Sequence, residues 1–180
     1  MESGTRGRLQ TSFRVTTWAR FLFFFSLFFA PAFVGLGKVG LTPIRTAWIF
    51  FLGAFFGLVL PAVLCRHCPH YARRGRFIVC PTTVGPPKLL PPSGRTIRPT
   101  EKAVFAAGFA LVLGFPVVVL ALRGSLAPAA LTLAGAGLFI LGEQAFSCSR
   151  CLNFSCLLNR VPRDVQDRWA ADVSGNRAGG

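Results

Sequence analysis

AWIFFLGAFFGLVLPAVLCRHC, residues 47–68, decides how the rest of the chain is read. Ala47 to Leu64 carries no charge, includes four phenylalanines and is long enough for a helix that crosses most of a bilayer core. Cys65-Arg66-His67-Cys68 then sets two thiols at metal-ligand spacing where that helix ends. The stretch predicts a membrane span that delivers donor atoms to one membrane face.

Working outward, the apolar pattern recurs three times. Phe21 to Leu36 is uncharged and predicts a first span at about 17–37, bent by Pro31. The second span is expected at about 47–64. Ala103 to Leu122, with Pro116 inside it, and the Ala- and Gly-rich Leu126 to Gly142 predict spans at 103–122 and 126–142. Composition agrees, because 52% hydrophobic residues, 19 Phe and a mean hydropathy of +0.54 are too apolar for an ordinary soluble core. A cleaved signal peptide ending near Ala30-Pro31-Ala32 competes with the first span, but the run is long and a Pro between the alanines suits cleavage poorly.

The expected fold is therefore all-α: a four-helix transmembrane bundle over residues 17–146, with an irregular Cys/Pro-rich loop at 65–102. That loop holds seven of the thirteen prolines, and Gly85 to Pro92 favours polyproline II and turns. Residues 1–16 form a basic N-terminal segment, and residues 147–173 hold the second cysteine cluster and a short amphipathic helix with Val165, Trp169 and Val173 four apart. Residues 174–180 are expected to be a disordered tail. Thr100, after Pro99, is the expected cap of the third span. Gly53 and Gly57, at GxxxG spacing, mark a helix-pairing face, and Pro61 should loosen the turn before Cys65. Glu143 closes the fourth span as a snorkelling interface residue, or as a buried acid acting beside Cys148.

The formal net charge of +14 raises nucleic acid as a partner, but the basic residues lie between apolar segments rather than along one amphipathic face. No nucleic acid is expected. Seventeen basic residues fall before the first span, in the central loop or in the tail, against three in the two other connections. The positive-inside rule then puts both termini and the central loop in the cytosol of a multi-pass protein of the cell inner membrane. Its partners are the lipid bilayer and a membrane or cytosolic protein. Arg73, Arg74 and Arg76 fit topology determinants that touch anionic headgroups.

All six cysteines fall into two clusters, Cys65, Cys68 and Cys80, and Cys148, Cys151 and Cys156, each after a hydrophobic run. An offset of 83 lays Cys65 and Cys68 on Cys148 and Cys151, as a duplicated hairpin-plus-cysteine unit would, with a pseudo-twofold axis along the membrane normal. A reducing cytosol disfavours structural disulfides. Two Cys-x-x-Cys pairs can surround one zinc ion, or two three-cysteine sites can be completed by His67 or His70. An iron-sulfur cluster is the other thiolate cofactor, and Cys68-Pro69 and Cys80-Pro81 carry the proline that follows ferredoxin ligands. Two other functions compete: a membrane thiol-disulfide oxidoreductase using the two pairs, and a structural partner-binding protein whose cysteines are small packing residues and whose histidines are solvated. No nucleotide-binding loop, serine-histidine-acid set or catalytic carboxylate pair is present.

At Cys65-x-x-Cys68-Pro69-x-Tyr71, Cys80-Pro81, Gly85-x-Pro87-Lys88, Cys151-x-Asn153-Phe154-Ser155-Cys156 and Asn159-x-Val161-Pro162, the chain resembles small uncharacterised four-span prokaryotic membrane proteins with two cytosolic Cys-x-x-Cys clusters. The resemblance covers roughly residues 20–165 and implies the architecture and the pairing of the clusters, with no established activity. Leu157 stands where it leads one to expect a proline. Four-span quinone-linked disulfide oxidases and membrane polyferredoxin-type proteins are analogies only.

Overall fold

The computed structural model describes residues 9–80 and 84–178; Arg6 and Arg8 of the basic N-terminal segment lie outside them. Four helices are long and apolar enough to cross a membrane: Val15–Lys38, Thr42–His67, Pro99–Leu122 and Leu126–Arg150. The first span is α1 (Val15–Lys38). The second is α2 (Thr42–Ala54), a π-helical turn (Phe55–Val59) and α3 (Leu60–Val63). The third and fourth are α4 (Pro99–Leu122) and α5 (Leu126–Phe146), and α6 (Arg163–Ala178) follows the second cysteine cluster.

Each element runs beyond the charge-free stretch that announces it. The second span starts at Thr42 because Pro43 suits the first turn of a helix, so the preceding connection is shorter than Lys38 to Arg45. The third span starts at Pro99 for the same reason. Its cap is Arg98 rather than Thr100, since Glu101 accepts the Arg98 backbone N–H at 2.8 Å. The fourth span continues a turn past Glu143 to Phe146, and α6 extends through Ala178, into the segment expected to be a disordered tail. Residues 179–180 of that tail lie outside the described residues.

The two halves end their first helix alike. Gly40 and Gly124 both take φ 71°, a left-handed conformation suited to glycine, and Leu41 and Ser125 donate back to Leu36 and Leu120 at 3.2 and 3.0 Å. Packing does not follow that symmetry. A Cβ on Gly135 would stand 2.2 Å from the Leu27 carbonyl oxygen, and one on Gly142 would meet the Phe24 ring at 2.7 Å, so the first and fourth spans touch backbone to backbone. The second and third are held apart by the Phe55 ring over Gly108. A Cβ on Gly53 or Gly57 would meet nothing within 4 Å among the described residues, so the expected pairing face makes no close helix contact there. The π-helical turn that begins after Gly53 and contains Gly57 also spoils the four-residue register that GxxxG packing needs.

Aromatic residues fill the centre. Phe28, Trp48, Phe55, Phe105 and Phe139 are buried together, and the Trp48 indole donates to the Val112 carbonyl at 3.1 Å, which satisfies its one polar atom. Large apolar residues also face outward all along the spans, among them Phe50, Leu122, Leu126 and Leu131. A surface so continuously apolar matches hydrocarbon rather than water.

The central loop is more ordered than its prolines suggest. Phe77–Val79 (β1) and Val84–Pro87 (β2) pair as an antiparallel hairpin, Phe77 opposite Pro87 and Val79 opposite Val84. Tyr71 anchors its base. The ring is buried, its hydroxyl donates to the Leu90 carbonyl at 2.7 Å and accepts the Leu90 N–H at 3.3 Å.

Candidate functional site

Both Cys-x-x-Cys pairs adopt one backbone form. A span ends, a 3-10 turn follows (Cys65–His67 and Cys148–Arg150), and the second cysteine is extended. The backbone N–H of Cys68 bonds the Cys65 carbonyl at 2.9 Å, and that of Cys151 bonds Cys148 at 3.5 Å. The dihedrals match closely, with Leu64 at φ −106° and ψ −49° against Ser147 at −101° and −52°. Such a turn brings the two thiols of a pair onto one side of the chain.

Asparagines join the turns across the molecule. The Asn153 side-chain amide donates to the Leu64 carbonyl at 3.0 Å, a buried bond between the second cluster and the last residue before the first. The Asn159 amide donates to the carbonyls of Cys151 (2.9 Å) and Asn153 (3.0 Å), and its oxygen accepts the Val161 N–H at 3.0 Å. Val161 and Val165 pack with Leu9 and Leu152 in a second small core.

All six cysteines line one cavity of about 180 Å³ at this end of the bundle. His70, Tyr71, Glu143 and Asn153 share its wall, and Phe56, Phe105, Phe109 and Phe139 form its apolar floor between the spans. Glu143 thus faces the cavity beside Cys148 instead of only marking a helix end. Burial keeps the thiols of Cys68, Cys151 and Cys156 protonated. Burial pushes Cys68 up to about 12, with the neighbouring Cys80 and Cys156 adding to it, while the His70 backbone N–H and the Arg73 cation oppose. Burial also raises Cys151 well above the ordinary thiol range, helped by Cys68, Cys156 and Cys80 and opposed by the Asn153 N–H, 3.4 Å from its sulfur. Cys156 is raised by burial too. The charge sensed at Cys151 from Cys68 and Cys80 expresses the proximity of the two clusters.

The histidines part company. His70 is 4% exposed, and its Nε2 lies 3.1 Å from the Gln10 carbonyl. The proton therefore sits on Nε2, leaving Nδ1 as a bare lone pair that is buried without a hydrogen-bond partner among the described residues. Burial, aided by Arg73, holds the ring's pKa below its ordinary value and keeps it neutral. His67, expected alongside it, does not line the cavity. Its Nδ1 lies 2.9 Å from the Arg95 carbonyl, and its Nε2 is 3.3 Å from Arg66 Nε and 3.4 Å from Glu101 Oε1. Glu101 also binds Arg66 and Arg95 at 2.8 and 2.7 Å, so His67 belongs to a polar latch between the second and third spans.

The segment Leu9–Thr11 crosses between the halves. The Gln10 N–H donates to the Arg150 carbonyl at 2.9 Å, its carbonyl meets His70, and the Thr11 carbonyl accepts from Arg73 at 2.6 Å. Gln10 carries no sequence signal as a site residue, and neither does Glu101; Asn153 and Asn159 lie inside the cysteine motif itself. As the side chains stand, no three His, Cys, Asp or Glu residues among the described ones are gathered closely enough to hold a metal ion. Compared with protein-family models, curated proteins and solved structures, the chain finds no match in any of the three.

Proposed function

We propose that this is a multi-pass membrane protein whose cysteine cavity holds a thiolate-bound metal, zinc or an iron-sulfur cluster, at the cytosolic face, for electron transfer or for assembly with a partner protein. The observation that carries the reading is the buried Nδ1 of His70, without a hydrogen-bond partner among the described residues, on a side chain that lines the same cavity as the six cysteines. An orphaned buried acceptor costs about 1–3 kcal/mol unless something occupies it, and a cation is what a bare imidazole lone pair among thiols suits. The contact of Nε2 with the Gln10 carbonyl is the outer-shell arrangement that fixes tautomer and orientation in a metal-ligating histidine. The thiols fit as well. Buried thiols such as those of Cys68, Cys151 and Cys156 are poor nucleophiles, but a cation would draw off their protons and neutralise the resulting charge. Cys65, Cys68, Cys148 and Cys151 are the core donors in this reading, with Cys80, Cys156 and His70 completing the set and His67 outside it.

A thiol-disulfide oxidoreductase also needs cysteines close together, and the shared cavity suits that. It further needs a thiol of lowered pKa, and burial, which raises those of Cys68, Cys151 and Cys156, works against it. The test is anaerobic purification with elemental analysis and an absorption spectrum. Stoichiometric zinc or iron, lost in Cys65→Ser and Cys148→Ser and weakened in His70→Ala, is the expected result. Absence of stoichiometric metal in folded protein overturns the proposal.

A further inference from the structure

The β1–β2 hairpin has two faces of different chemistry. On one, Ile78 is buried and lines the cysteine cavity with Cys80. On the other, Phe77, Val79 and Val84 are 58%, 47% and 45% exposed. Cross-strand pairing sets Val84 directly opposite Val79 and Pro87 opposite Phe77, so these apolar groups form one continuous patch. Leu89 and Leu90, next in the chain, are exposed as well. Water offers nothing to such a patch.

Its position says what covers it. β2 lies alongside the π-helical turn Phe55–Val59 of the second span, and Val59 precedes Leu64 by about 7 Å of helix rise. The hairpin therefore lies against the outside of the bundle, some way down from the cysteine turns. That offset matches the depth of about 5–10 Å at which interfacial elements sit in the headgroup boundary. Deeper insertion would leave the open strand edges without hydrogen-bond partners. The charge fits the same place. Arg73, Arg74 and Arg76 are exposed next to β1, Lys88 follows β2, and no acidic residue occurs between Cys65 and Thr100.

We propose that the outer face of this hairpin binds the bilayer interface, with Phe77, Val79 and Val84 among the upper acyl chains and Arg74 and Arg76 on anionic lipid headgroups, Lys88 being held on the Arg73 carbonyl. β2 borders the second span, where Phe50 and Leu58 are also exposed, and this favours lipid over a protein partner as the occupant of the patch. The opposite face forms a wall of the cysteine cavity, so lipid composition bears on how firmly that wall is held. This inference does not depend on whether a metal is bound.

The test uses the full chain in nanodiscs of phosphatidylcholine alone or mixed with phosphatidylglycerol. Hydrogen exchange at Phe77, Ile78, Val79 and Val84 is expected to slow in the anionic discs, and Arg74→Glu/Arg76→Glu should abolish the difference while exchange in the spans stays unchanged. Each arginine near an anionic surface corresponds to roughly a fivefold effect. In Phe77→Trp, emission above that of the native protein should be quenched by lipids brominated near the top of the acyl chain. Equal exchange in both discs overturns the headgroup assignment. An indole untouched by brominated lipid overturns insertion and leaves the patch to a protein partner.

Discussion

Replacing Gly135 by alanine should loosen the bundle at its tightest point. The added Cβ would stand 2.2 Å from the Leu27 carbonyl oxygen, 2.6 Å from its carbon and 2.8 Å from the Phe28 Cα, all backbone atoms that no rotamer change can move. The first and fourth spans must separate by about 1 Å, and a gap of that size forfeits a quarter to a half of the dispersion energy of the contacts it opens. The buried residues beside it are Phe28, Ala32, Ala136 and Phe139. Overpacking of this kind costs about 1–3 kcal/mol, against up to about 1 kcal/mol gained because alanine is the better helix former. The clash wins, for a net loss of about 1–2 kcal/mol. Gly137, two residues on in the same helix, has nothing within 4 Å of its Cβ position and provides the control, since Gly137→Ala keeps the propensity gain without the clash. The assay is reversible unfolding of both variants in one mixed micelle, followed by far-UV circular dichroism. A Gly135→Ala protein as stable as Gly137→Ala would refute the backbone contact between these spans.

Asn153→Ala removes the buried bond to the Leu64 carbonyl and should cost about 0.5–1.5 kcal/mol, because that carbonyl keeps only the longer bond from the His67 N–H at 3.3 Å. Metal analysis should show weaker retention, and unchanged stability would mean the two cysteine turns are joined otherwise. In metal-free protein the Cys68 thiol, at about 12, keeps its proton where the unfolded chain loses it from about 9. The folded state then binds more protons than the unfolded one over that window, so stability falls as pH rises through it. Alkylation of Cys68, followed by peptide mass spectrometry, should accelerate about tenfold per pH unit up to at least pH 10; a plateau below pH 9 would show an activated thiol. Under the proposed orientation, an impermeant maleimide added to intact cells should leave all six cysteines unmodified, and labelling of Cys68 from outside would reverse the topology.

Four apolar runs determine four helices, because a charge-free stretch of about 20 residues has few alternatives once its backbone must satisfy its own hydrogen bonds in lipid. The kinship of the two cysteine turns was legible for a related reason: Cys-x-x-Cys after a span is a local pattern, and its 3-10 turn is built from neighbouring residues. The hairpin at Phe77–Pro87 was not, since the prolines hid a short ladder whose support comes from Tyr71 and Leu90, nineteen residues apart. Nor did GxxxG spacing tell which glycines pack. Gly53 and Gly57 look outward and Gly135 looks inward because helix rotation is set by neighbouring spans rather than by the glycines themselves.

The same division holds at the site. Sequence by itself determined the side-chain types, their two clusters and that each cluster follows an apolar helix. Only the tertiary structure decided that all six cysteines line a single cavity, that His70 lines it with them and that His67 turns away to Glu101. The two histidines are three residues apart in one polar loop, with no periodicity to set their directions. What separates them is a Gln10 carbonyl on one side and a Glu101 carboxylate on the other, each brought up by a distant part of the chain.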